Sequence, residues 1–256
     1  PPPTLLSSAA SDVYKRQAPL CYVGLARREP PDTAPQAASA TTSKQPFREP
    51  LEGRARTIAM ALFCLVMSGN ALIFGVGAVH LVGLIEASGV ALALAVSIAS
   101  LKGAAQVAGR VWEIIWGRNL DPVNLGRIAI ALLPFAFVVL LWAGADWLTA
   151  AAFTLIFGAS NGLVTIVRGA VPLALFGAEG YGKVLGIIAT PVLLFNALAP
   201  MMFAAIVEAG GYRAGTYILF VLALLSTVAM EGMAVWYRRH LARTATSGNT
   251  ATGSHA

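Results

Sequence analysis

From about residue 57 onward the chain alternates long apolar runs with short polar breaks, giving segments 57–85, 90–113, 127–144, 147–168, 183–208 and 214–237. Each run is about long enough to cross a hydrocarbon layer of ~30 Å as a helix, which takes roughly 20 residues. Lipid offers no partner for a free backbone donor. No stretch of about ten residues alternates apolar and polar positions as a barrel strand does, so helices are the predicted elements. The expected fold is all-α: a polytopic membrane protein with six transmembrane helices over residues 57–240. Residues 27–56, rich in Pro, Ala, Ser, Thr and charge, read as a cytoplasmic linker, and 241–256 as a disordered cytoplasmic tail.

Composition strengthens this picture. Hydrophobic residues make up 57% of the chain, charged residues only 12%, and the mean hydropathy is +0.71, whereas soluble domains carry about 25% charge. Lys and Arg outnumber Asp and Glu by 18 to 12. The bases lie between apolar runs rather than on one soluble face, so a nucleic-acid partner is not indicated. Cys21 and Cys64 sit in apolar surroundings without metal-ligand spacing, so no metal and no cofactor is expected.

The connections alternate in charge. Arg27, Arg28, Lys44, Arg48, Arg54 and Arg56 precede the first span, and only Glu86 follows it. Arg118 and Arg127 follow the second span and Asp146 the third. Arg168 and Lys183 border the fourth connection, and Arg238, Arg239 and Arg243 the last boundary; Arg213 alone dissents. The positive-inside rule then puts both ends in the cytoplasm, with Trp236-Tyr237 anchoring the final span.

The stretch 117–127, GRNLDPVNLGR, resembles the Gly-x-x-x-Asp-Arg-x-Gly-Arg signature of the major facilitator superfamily, with Pro122 where a basic residue is usual and extra residues before Gly126. The segments GASNGLVTIVRGAVPLALFG (158–177) and GYGKVLG (180–186) are similar to bacterial members. The resemblance implies the C-terminal six-helix half of a twelve-helix secondary transporter in a plasma (bacterial inner) membrane, working by alternating access on a small-molecule substrate. Residues 18–26 then stand for the remnant of a sixth helix, and the N-terminal half is a missing partner. SSAASDVYKRQ (7–17), read back into codons, resembles a transposase adapter of sequencing libraries, so residues 1–17 are expected to be an artefactual leader.

A charge at mid-membrane costs about 2.5–3.5 kcal/mol on insertion scales, which makes intramembrane polar residues candidates for function. Lys102, Gln106, Arg110 and Glu113 share one helical face. The resemblance implies that Lys102 and Gln106 line a substrate cavity, with Asn161, Asn70 and Asn196 as further substrate contacts. The alternative for Lys102 is neutralisation of an acidic partner. Arg110, Glu113, Arg118, Asp121, Arg127 and Arg168 are expected at the cytoplasmic gate or boundary, and His80 and Glu231 are the candidates for proton coupling.

Other chemistry finds less support. Gly158-Ala159-Ser160-Asn161-Gly162 fits the nucleophile-elbow pattern, but it falls inside an apolar run and lacks a mid-membrane His as base. GYGKVLG lacks the strand and spacing of a nucleotide loop. The chain is therefore not expected to be an enzyme, and a six-span scaffold or partner subunit is the second reading.

Overall fold

The computed structural model describes residues 50–117, 119–142 and 146–252, with side chains to Ala242. The expected leader, helix remnant and most of the linker lie outside the described residues.

Among the described residues six helices follow one another: α1 (Gly53–Val79), α2 (Leu81–Glu86), α3 (Leu92–Trp112), α4 (Pro122–Trp142), α5 (Trp147–Phe176) and α6 (Tyr181–Thr252). Among the described residues there is no strand. A π-helical turn, Glu113–Gly117, prolongs α3. Helix α6 bends at Gly211, whose φ of 74° and ψ of 170° are non-helical, and so has two arms, 181–210 and 212–252. At 1.5 Å per residue the arms reach about 45 Å and about 60 Å. Among the described residues five helices, counting α6 once, are long and apolar enough to cross a membrane.

Several boundaries differ from the hydropathy pattern, each for a local reason. The expected first run, 57–85, is interrupted at His80 (φ −99°, ψ 7°), which separates α1 from α2. Helix α4 starts at Pro122 rather than 127, because proline suits a first helical position and Asp121 Oδ1 accepts the backbone N–H of Val123 at 2.9 Å. Helix α5 runs eight residues past the expected 168, through Pro172, and stops where Gly177 adopts φ 74° and donates its N–H to Leu173 O. The last arm continues to Thr252 instead of giving way to an irregular tail at 241; no proline interrupts that stretch.

Asp146 caps α5: its carboxylate accepts the Thr149 N–H at 2.7 Å, which holds its pKa below the usual carboxylate value. The core is aromatic. Phe137, Phe153 and Phe157 are fully buried and stack edge-on or tilted, and Phe74 meets Phe157 at a centroid distance of 5.4 Å. Large apolar side chains also cover the exterior, among them Leu65, Trp116, Leu193 and Met201, a surface compatible with lipid rather than with water. Helix α3 stands apart: 22% of its most apolar stretch is buried, against 56% for α1 and α5.

Candidate functional site

Helices α3 and α5 meet almost backbone to backbone, because glycine lines the seam. A Cβ on Gly158 would lie 2.6 Å from Ala105 Cβ and 2.7 Å from the Lys102 carbonyl oxygen; one on Gly109 would lie 2.6 Å from the Ala159 oxygen. Gly162 sits equally close to the Gln106 carbonyl. Small residues permit this approach where helices cannot rely on water to drive them together.

Several polar residues of both helices lie along the close seam. Lys102, Gln106 and Arg110 follow one another on α3, and Asn161, Thr165 and Arg168 on α5. Arg110 Nε donates to Thr165 Oγ1 at 3.3 Å, and Thr165 in turn donates to Gly162 O. Gln106, Asn161 and Arg168 are half-buried.

Lys102 is half-buried, and its Nζ donates to the Gly77 carbonyl at 2.8 Å while lying 5.5 Å from the Phe157 ring centroid. Gly77 is third from the end of α1, where a helical carbonyl lacks an intrahelical partner. The ammonium thus caps the negative end of α1 and rests on an aromatic face. Among the described residues Lys102 meets a helix terminus rather than the carboxylate of the alternative reading, a partner that no spacing rule could reveal.

The remaining candidates separate into two other places. At the far end of the bundle, the Pro200 carbonyl can only accept, so it fixes His80 Nε2 as the protonated nitrogen at 3.2 Å; in the neutral ring Nδ1 then accepts from the Tyr212 hydroxyl at 3.3 Å. His80 also packs edge-on against Phe203 at 5.1 Å. Tyr212 escaped sequence reading, although its position after Gly210-Gly211 was the available signal.

At the other end, Arg127 Nε donates to Glu231 Oε1 at 2.7 Å and Nη1 to Asn124 Oδ1 at 3.1 Å, tying α4 to the second arm of α6. Glu231, expected as a proton carrier, is therefore held in an ion pair. Asp121, expected at the gate, caps α4. Glu113 opens the π turn, and Arg118 lies outside the described residues.

The three asparagines are not gathered together. Asn196 is exposed and donates to Ala71 O at 3.1 Å, pinning α6 to α1. Asn70 is 1% exposed and donates to Val66 O on its own helix, leaving Oδ1 without a partner. Only Asn161 shares the α3–α5 seam. Ser160, the centre of the elbow pattern, is fully buried in mid-helix and donates to the Ala129 carbonyl at 2.7 Å. Comparison with family models, with curated proteins and with solved structures gave no match.

Proposed function

We propose that the chain is one six-helix half of a secondary active transporter resembling the major facilitator superfamily, moving a small molecule across a plasma membrane by alternating access. The α3–α5 seam carries this reading. Lys102, Gln106, Arg110, Asn161, Thr165 and Arg168 form a polar stripe along two apolar helices, at a cost that a purely structural bundle has no reason to bear. The least buried helix, α3, supplies half of that stripe, as a surface facing a second six-helix half requires. In this reading the two arms of α6 are separate spans, both ends are cytoplasmic, and the breaks at His80 and Gly211 with Pro191 and Pro200 supply places to bend. Proton coupling rests with His80.

The test is counterflow in proteoliposomes made from the gene product with its upstream six spans. Saturable exchange is expected, reduced at least about tenfold by Lys102→Ala at equal protein yield. The 256 residues alone are expected to give no gradient-driven uptake, and saturable uptake by them overturns the half-site reading.

A further inference from the structure

We infer that Arg110 and Arg168 form an oxyanion site at the α3–α5 seam, which takes the carboxylate or phosphate group of a soluble solute. Arg168 makes no hydrogen bond or ion pair with any described residue, and its Nε is both shielded from solvent and without a partner. A guanidinium cannot relieve that situation by giving up its proton. A half-buried, uncompensated guanidinium is stabilised by an anion and by little else.

Geometry brings the second arginine to the same place. Side chains on a helix lean toward its N-terminus, so Arg168 extends over the turn holding Thr165, three residues earlier. Arg110 reaches that turn from α3, and its hydrogen bond to Thr165 Oγ1 is its sole partner among the described residues. Glu113, the acidic residue nearest along α3, forms an ion pair with neither arginine among the described residues. Among the other bases at this end of the bundle, Arg127 pairs with Glu231, Arg56 lies over the Phe176 ring at 5.8 Å and Arg238 donates to the Ala234 carbonyl, while Arg54, Lys183 and Arg239 are exposed and so solvated. One guanidinium bonded to Thr165 and a second, unpartnered one a turn further along the same helix face offer the paired forks that suit the planar oxygens of a carboxylate or phosphate. The stripe continues along the seam to Gln106 and Asn161, away from the bilayer surface where lipid phosphate resides, which favours a soluble solute over a headgroup.

This inference deepens the transport reading by naming the substrate's chemistry, but binding tests it independently of transport. The full chain in maltoside micelles, which contain no phosphate, is titrated with inorganic phosphate and with succinate at an ionic strength fixed by chloride, followed by calorimetry and thermal unfolding. Saturable binding is expected. Arg168→Gln and Arg110→Gln each weaken it by about tenfold or more, Arg168→Lys weakens it less, and Arg238→Gln leaves it unchanged.

Three results overturn the inference: no binding beyond the chloride control, equal affinity in Arg168→Gln, or protection by phosphatidylglycerol alone. If Arg168→Gln fails to fold, unchanged affinity in both Arg110→Gln and Arg168→Lys overturns it. Absent binding together with saturable counterflow removes the oxyanion site and leaves the transporter.

Discussion

Two seams of this bundle hold arginines at the same end and treat them in opposite ways. Between α4 and the second arm of α6, Arg127 is neutralised by Glu231 and steadied by Asn124. Between α3 and α5, among the described residues, Arg110 has only a hydroxyl and Arg168 has no polar partner. The first seam is electrostatically complete and the second is not. The proposed reading rests on this difference: a charge that folding leaves uncompensated is one that a bound anion would stabilise.

The comparison breaks most visibly at the glycines that bring α3 and α5 together. Gly158→Leu forces a side chain where even the first carbon meets Ala105 and the Lys102 backbone, whereas Gly103 on the same seam's α3 has open space around it. Gly158→Leu should cost 3 kcal/mol or more, about the upper range for overpacking, and abolish a monodisperse peak in size-exclusion chromatography. Gly103→Leu should keep that peak.

The far end gives a smaller effect. His80→Ala removes both bonds that this side chain makes to α6, and should lower stability by about 1–3 kcal/mol in a reversible denaturant titration in mixed micelles. The paired seam gives less again, since Arg127 and Glu231 side chains are 30% and 41% exposed and screened by water. A double-mutant cycle with Arg127→Gln and Glu231→Gln should yield a coupling of about 0.2–1 kcal/mol that shrinks with salt. Arg168→Gln, by contrast, should leave the ligand-free protein as stable or more so.

The smallest effect is at Asp146. Its pKa is depressed by the Thr149 N–H, so the unfolded chain binds a proton more readily. The cap's contribution is then fully present above the ordinary carboxylate value of ~3.9 and is lost as pH falls below it. The difference in melting temperature between wild type and Asp146→Ala should be flat from pH 7 to about 5 and shrink only below about 4.

Hydropathy alone located the helices, because apolar length is a one-dimensional property. It set the boundaries less well: Pro122, Gly177 and Gly211 act through backbone angles that an average over apolar residues cannot register. Helical spacing put Lys102, Gln106 and Arg110 on one face of α3, and Asn161 with Arg168 on one face of α5. It could not say that these two faces meet, which depends on glycine contacts between residues about fifty positions apart. Partners were least legible. Arg127 with Glu231, Lys102 with the end of α1, and His80 with Tyr212 all join residues distant in sequence.

Water access to the α3–α5 seam tests the account most directly. In a Cys21→Ser, Cys64→Ser background, Gln106→Cys and Asn161→Cys are exposed in intact membranes to a charged, membrane-impermeant thiosulfonate, with Val138→Cys and Leu155→Cys as exposed apolar references. Both seam positions are predicted to react rapidly, and Arg110 and Arg168 ligands such as phosphate to slow them, while the references stay inert. Seam cysteines as unreactive as the references would contradict a polar path between these helices.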